Sequence, residues 1–590
     1  MCGFVGFWSA DGVLDPRHRS PEPWTTLVRH RGPDGERSFV EPGAAMHFAR
    51  LSILDLSNRG MQPMRSRCGR YVMVFNGEIV NFRELAAQHD LHVEGRSDSE
   101  VLLELYASIG ERAAAVIRGM YAFAVYDTLR RTVTAYRDPF GIKPLYYAQE
   151  GATLILSSEM TPILRAVGGS DVDEQQVLRF LRRGEIDDGA STMYRQVKQV
   201  PPGHRLRWQE GRCVVVRYWD GDVTPGDDAD ELAQQTAYHD LLVRTAGEYL
   251  QADVPVGVSL SGGLDSSVLA YLVSRHREAG QRRLMMTRGY EGYEGNETDA
   301  GRVVAERCGF EWHPVFLRPD DVPAMLRTCS AQQEHPVTSI SVLAFHKLYV
   351  AARALGLKVL LEGYGGDEIW AGYNAYQHPA SHATSHDGSS FALNDELFRG
   401  DPADEAPLAG ESPGSSFGPC SELTRRQLAD LFGAKLQRSL RFVDRASMSV
   451  GVEVRVPFLD TAVALPALRM PDAWKIRDGE LRSFIRRMAR PHLGDTIALR
   501  PKVPIQDSQR LWLQGPLKAY VRDLLSSRPL WISQFVDVER LRGLFEAFLS
   551  EPARFGNLTF LVFPVFLEEW RRAMRDHLLS SVSTEASPVG

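Results

Sequence analysis

Val254-Pro255-Val256-Gly257-Val258-Ser259-Leu260-Ser261-Gly262-Gly263-Leu264-Asp265-Ser266-Ser267 decides the architecture of this chain. The apolar run Val254–Leu260 reads as a strand that enters a glycine turn, with a helix predicted from about Ser266. Glycines let the backbone approach a ligand closely, and the N–H groups at a helix start favour phosphate. The serine hydroxyls add donors, and Asp265 offers a hard oxygen for Mg²⁺. The Gly-Lys-Ser/Thr ending of a Walker loop is absent, so this is another kind of phosphate turn.

Working outward, the same alternation continues downstream. A strand is predicted at Leu284–Arg288, helices at Ala300–Arg307 and Ser341–Leu355, and a strand at Lys358–Leu361. Strands alternating with helices predict a parallel sheet wrapped by helices. Upstream the character differs. Short strands are expected at Ala45–Phe48, Tyr71–Asn76, Tyr121–Asp127, Thr132–Arg137 and Thr153–Ser157, with a helix at Ser99–Ser108. Asp220–Asp230, rich in Asp and Gly, reads as a linker before a helix that runs to about Leu250. The expected division is residues 1–220, a linker over 221–235, and a second domain over 236–579. Within the latter, Asn374–Cys420 is poor in apolar residues and reads as a mobile insertion, and 580–590 as a disordered tail.

Length and composition agree. A chain of 590 residues is too long for one core, and 44% hydrophobic with 24% charged residues is ordinary for globular domains. A formal net charge of −7 argues against nucleic acid as the main partner. Six cysteines without disulfide-framework or metal spacing suit a reducing compartment. No apolar run approaches the ~20 residues of a membrane span. A soluble cytoplasmic protein with no membrane partner is expected.

Met1-Cys2-Gly3-Phe4-Val5-Gly6 puts a thiol one cut from the N-terminus. Removal of Met1 would give Cys2 a free α-amine, which titrates near ~7.7–8.0 and can act at neutral pH as the base for its own thiol. Arg31-Gly32-Pro33-Asp34-Gly35, Arg50-Leu51-Ser52-Ile53, Asn76-Gly77-Glu78 and Ser97-Asp98 follow in order. Asn76-Gly77 offers an amide and a glycine N–H to a developing oxyanion. Taken singly, Asn-Gly is a common hairpin turn and Ser-Asp a common helix cap.

Together with Arg137-Asp138-Pro139-Phe140-Gly141-Ile142-Lys143-Pro144-Leu145-Tyr146-Tyr147 and Ser157-Ser158-Glu159, these segments resemble the class II, N-terminal-nucleophile glutamine amidotransferase domain over roughly residues 2–205. The resemblance implies an αββα sandwich in which Cys2 is the nucleophile and Asn76 and Gly77 form the oxyanion hole. It also implies that Arg50 binds the glutamine carboxylate and that Glu78 and Asp98 bind its amine. Val80 stands where a tyrosine is common.

The Ser261–Ser267 string resembles the pyrophosphate loop of ATP pyrophosphatases, and the fused pair resembles the asparagine synthetase B family. Gly363-Tyr364-Gly365-Gly366-Asp367-Glu368, Asp444-Arg445-Ala446-Ser447-Met448, Glu453–Asp460 and Arg500-Pro501-Lys502 complete the likeness. The implied ATP and pyrophosphate site comprises Leu260, Ser261, Gly262, Gly263, Leu264, Asp265, Ser266, Ser267, Gly363 and Lys502. Asp265 and Asp367 are the implied Mg²⁺ ligands, and Lys502 the implied counter-charge to the adenylate. A homodimer is implied by the resemblance alone.

Two positions depart. The family loop usually carries a carboxylate where Tyr364 stands, and its replacement by tyrosine resembles β-lactam and carbapenam synthetases, which use a Tyr–carboxylate dyad. Asp444 is the first expected partner and Glu453 the second. One branch of asparagine synthetases resembles Pro336–Ser341 but has an arginine at Ser341 that binds aspartate. Lactam-forming relatives typically lose the N-terminal cysteine, which this chain keeps. The expected function is therefore glutamine-dependent, ATP-dependent amidation of a carboxylic acid other than plain aspartate. Ordinary asparagine synthetase and a lactam-synthetase-type ligase or cyclase are the alternatives. A non-catalytic scaffold predicts decayed motifs, yet Cys2, Asp265, Asp367 and Lys502 all remain.

Overall fold

The computed structural model describes residues 2–187, 189–225, 230–276, 283–377, 397–399, 417–501 and 508–580. Met1, Lys502, most of the expected 374–420 insertion and the tail beyond 580 lie outside the described residues.

Cys2–Ser9 forms a strand buried at every position. Its side chains alternate: Phe4 and Trp8 enter one apolar cluster, while Val5 and Phe7 enter another. Because both faces are covered, no polar alternation marks the strand in the sequence. It lies in a six-stranded antiparallel sheet ordered Lys198–Gln199, Tyr146–Glu150, Thr153–Ser157, Cys2–Ser9, Ala44–Arg50, Gly35–Glu41. A second six-stranded sheet runs Arg212–Arg217, His204–Gln209, Thr132–Arg137, Gly119–Asp127, Tyr71–Ile79, Met64–Arg65. Phe4, Trp8 and Phe48 from the first sheet meet Val72, Val74 and Ala122 from the second. Helices Pro21–Val28 and Met160–Val167 cover the first sheet, and Phe82–Gln88 and Asp98–Ile109 cover the second. The result is the expected αββα sandwich. Asp98–Ile109 starts where Ser97 accepts the Glu100 N–H, an ordinary N-cap.

The second half is built on a five-stranded parallel sheet ordered Glu311–Leu317, Leu284–Tyr290, Val256–Ser259, Val359–Leu361, Glu453–Arg455. The chain lays down Val256–Ser259 first, adds two strands on one side, and then returns to add two on the other. The order reverses beside Val256–Ser259, and in such sheets ligands bind at the carboxyl ends of the strands at that reversal. Ser261–Ser267 and Gly363–Glu368 both emerge there. The two edge strands escaped the sequence reading. Glu311–Leu317 carries Pro314, which an edge position tolerates, and Glu453–Arg455 has only three residues.

The halves share one apolar cluster. Leu51, Ile53, Val80, Met120, Phe140 and Ile142 of the sandwich pack in the same core as Leu260, Val454 and Val456. A polar phenol at position 80 would have to find a partner here, whereas Val80 simply packs.

Candidate active site

The first site forms where the two antiparallel sheets face each other at one end. Cys2 pairs with Arg50 across the first sheet, and its N–H donates to Asn76 Oδ1 of the second at 3.0 Å. Asn76 is fully buried, and its Nδ2 has no hydrogen-bond partner. An unpaired buried donor is costly unless a ligand completes it, and this one belongs to the residue that faces Cys2. Gly77 is required by packing: a Cβ there would sit 2.2 Å from the Met120 carbonyl oxygen. Burial pushes the Cys2 thiol up, so a base must take its proton before it can attack.

The three residues expected to hold glutamine lie around this pair. Arg50 donates to the carbonyl oxygens of Ser57 at 2.5 Å and of Leu54 and Asp55. Asp98 accepts from the Ile79 and Ser99 N–H groups, each at 2.9 Å, and burial raises its pKa to about 6. Glu78 is also pushed up by burial, against the pull of Arg455, and its Oε1 is unpaired. Two buried carboxyls held above their usual range would both be stabilised in the ionised form by an arriving ammonium.

A seam of buried arginines ties this site to the second half. Arg455 Nη2 lies 3.0 Å from Glu78 Oε2, while its Nε lies 2.5 Å from Glu453 Oε1. Arg31 donates to the Cys2 carbonyl at 3.2 Å and pairs with Glu159 at 3.1 Å and Asp444 at 2.9 Å. Arg445 joins Glu159 at 2.5 Å and Glu334 at 3.0 Å. Asp444 is the carboxyl expected first beside Tyr364. Asp444 is engaged by Arg31, and Glu453, the second choice, by Arg455. The carboxyls that act on Tyr364 are Glu362 and Glu368. Burial raises both to about 7, and it raises the Tyr364 phenol as well.

The second site lies at the strand reversal. Leu260 continues its strand by donating to the Met286 carbonyl at 2.8 Å. Ser266 and Ser267 hydroxyls donate back to the Gly263 carbonyl at 3.1 and 2.7 Å, tightening the turn into the helix Leu264–Ser274. Gly262 has φ +80° and touches the next helix, where a Cβ would lie 2.8 Å from Ala300. The second loop presses on the first: a Cβ on Gly366 would lie 2.9 Å from Asp265 Cγ, and one on Gly363 would lie 3.3 Å from the Ser266 nitrogen. Asp265 and Asp367 are brought together on one atom, Arg482 Nη1, at 2.9 and 3.1 Å. Arg500 donates to the Gly262 carbonyl at 2.9 Å, which ties Arg500 to the loop.

Sequence reading therefore named the loops but missed the cations that join them. Arg31 and Arg455 lay inside quoted motifs without a role. Arg482 carries no local signal apart from a left-handed backbone, φ +59°, visible only in the fold. Arg288 does carry one, as the lone charge in the strand Leu284–Tyr290.

Comparison with known proteins matches two families along the chain. The glutamine amidotransferase domain family matches residues 1–219, and the asparagine synthase family matches residues 237–572. "Asparagine synthetase [glutamine-hydrolyzing] 1" of Bacillus subtilis is 26% identical over 579 residues, spanning 89% of this chain and 90% of that one. "Asparagine synthetase [glutamine-hydrolyzing] 2" of Oryza sativa is 29% identical over 589 residues, spanning 94% and 86%. "Amidase chry2" of Gibberella zeae is 28% identical over 416 residues, spanning 64% and 60%.

Proposed function

The chain belongs to the asparagine synthase family, and from that footing we propose that it amidates an acceptor carboxylic acid other than plain aspartate. It is an ATP-dependent ligase that draws on glutamine. The observation that best supports the first step is the unpaired Asn76 Nδ2 beside Cys2.

With Met1 removed, the α-amine of Cys2 takes the thiol proton, and sulfur attacks the glutamine side-chain carbonyl. Asn76 Nδ2 and the Gly77 N–H face the resulting oxyanion. Ammonia leaves, and water hydrolyses the thioester to glutamate. Arg50 holds the glutamine carboxylate, and Glu78 and Asp98 hold its ammonium. Ammonia crosses to the second half, where Leu260 shares one apolar core with Met120 and Ile142 of the sandwich.

In the second half the acceptor carboxylate attacks the α-phosphorus of ATP, forming an acyl adenylate and releasing pyrophosphate to the Ser261–Ser267 turn. Ammonia then attacks the acyl carbon, AMP departs, and the amide forms. Tyr364 orients the incoming nitrogen, with Glu362 rather than Asp444 as the neighbouring carboxyl, and Lys502 offsets negative charge. Asp265 and Asp367 fit a divalent cation, because their oxygens converge on a point that a guanidinium now fills. Bound there, Mg²⁺ would neutralise the departing pyrophosphate.

The support for an unusual acceptor is Tyr364, where the family usually carries a carboxylate, and Ser341, where one branch of asparagine synthetases carries an arginine. The names of the relatives favour a second reading, plain asparagine synthesis. Pyrophosphate release with ATP, Mg²⁺ and glutamine, with and without aspartate, separates them. Stimulation by aspartate with asparagine formed establishes the second reading. No response to aspartate, with glutamate still released, leaves a different acid as acceptor. Absence of glutamate release would point instead to a ligase or cyclase without a working glutaminase. Among the described residues no helix is long and apolar enough to cross a membrane, and the six free cysteines support the reducing cytoplasm as the setting.

A further inference from the structure

Arg288 is the one half-buried residue in the otherwise buried strand Leu284–Tyr290. Met286 in this strand is level with Ser259 of the central strand, so Arg288 rises at the carboxyl end of the sheet beside the Ser261–Ser267 turn. Its guanidinium lies 4.2 Å from the centre of the Phe345 ring. Phe345 in turn packs against the Tyr364 ring at 6.3 Å, and Ser341 stands one helical turn before it. Among the described residues, Arg288 has no carboxylate bonded to it.

Glu362 and Glu297, the acids that feel its charge, are committed elsewhere. Glu362 accepts the Tyr349 hydroxyl at 3.0 Å, and burial raises its pKa to about 7. Glu297 lies 3.5 Å from Arg500. A cation–π contact alone is a weak reason to hold a charge at a half-buried position in a binding crevice. A guanidinium presents a planar fork that matches a carboxylate, and the aromatic neighbours lower the local dielectric around such a pair.

Resting on the amidotransferase reading above, we propose that Arg288 clamps a second carboxylate of the acceptor, with Phe345 and Tyr364 as the wall along which the acceptor lies. The acceptor is thus a diacid or an amino acid with two carboxylates, one activated and one retained. The retained one is the better match for Arg288. An activated carboxylate loses its charge on adenylation, whereas a permanent cation favours a group that stays charged through both steps.

The test uses the full-length protein with Mg²⁺ and a non-hydrolysable ATP analogue, titrated calorimetrically with malonate, succinate, glutarate, L-aspartate and L-glutamate, and with the monoamide of each. At least one diacid should bind at least tenfold more tightly than its monoamide. Arg288→Met should erase that preference and Arg288→Lys should restore part of it, with the melting temperature of each variant confirming the fold. Affinity for the ATP analogue alone should be the same in Arg288→Met. The proposal is overturned if no diacid exceeds its monoamide, if the preference survives in Arg288→Met, or if that variant instead loses tenfold in nucleotide affinity. Glutamate release from glutamine by the same wild-type preparation tests the underlying reading separately. Its absence removes the amidotransferase, whereas its presence without a diacid preference removes only the clamp.

Discussion

Arg455 and Glu78 are bonded across the boundary between the two halves, Nη2 to Oε2 at 3.0 Å. The carboxyl expected to greet the glutamine ammonium is thus held by the edge strand of the sheet that carries the proposed ATP site. The same guanidinium holds Glu453 at 2.5 Å and donates to the carbonyls of Tyr249 and Gln251. One arginine therefore serves two buried acids and the backbone of the second half.

Replacing Arg455 by Met should be severe, because it strands two buried carboxyls at once. Loss of one member of a buried ion pair costs about 3–5 kcal/mol. A large fall in melting temperature is expected for Arg455→Met. A melting temperature within a degree or two of wild type would show that the seam carries little energy.

Glutamine binding should depend on pH through Asp98. Burial places its pKa at about 6, and it must be ionised to hold an ammonium. Above that pH the charge is present; as pH falls through about 6 it is lost. The KM for glutamine should rise towards tenfold per pH unit below about 6, more steeply if Glu78, also raised by burial, protonates in the same range. Asp98→Asn should raise KM at pH 8 and flatten this dependence. A KM independent of pH between 5 and 8 in the wild type would exclude Asp98 from ammonium binding.

Asn76→Ala should lower kcat for glutamine hydrolysis by about 10²–10³, the usual loss on removing one oxyanion donor, with a much smaller change in KM. The reason is that Nδ2 is unpaired at rest and so gains its bond only as charge develops. Steady-state glutaminase kinetics check this, and a change confined to KM would reassign Asn76 to ground-state binding.

Arg482 occupies the point on which Asp265 and Asp367 converge. A divalent cation entering there must displace it. Arg482→Met should therefore tighten Mn²⁺ binding to the nucleotide-free protein, read by electron paramagnetic resonance, by about tenfold, equivalent to ~1.4 kcal/mol. Asp265→Asn should weaken the same binding and abolish pyrophosphate release while glutaminase activity persists. Unchanged Mn²⁺ affinity in both variants would place the metal elsewhere.

How much of this was legible in the chain differs from residue to residue. Cys2, Asn76-Gly77, Ser261–Ser267 and Asp367 could be named from the sequence because their chemistry is local. A cysteine one peptide bond from the first residue, a glycine at φ +80° against Ala300, and a glycine under the Met120 carbonyl each impose a residue type on a short string. The strands Thr132–Arg137 and Thr153–Ser157 were likewise readable from their own composition. Cys2–Ser9 was not, because burial on both faces erases the period of two.

Only the tertiary structure decided which charge meets which. Arg31 finds Asp444, Arg455 finds Glu78 and Arg482 finds Asp265 across 413, 377 and 217 residues of chain. Asp444, expected beside Tyr364 from its motif, is reached by Arg31 from the other half of the chain. A sequence shows that a charged residue is present. Whether burial forces it to find a partner, and which partner lies within 3 Å, depends on how separate elements pack, and that information is not local to any motif.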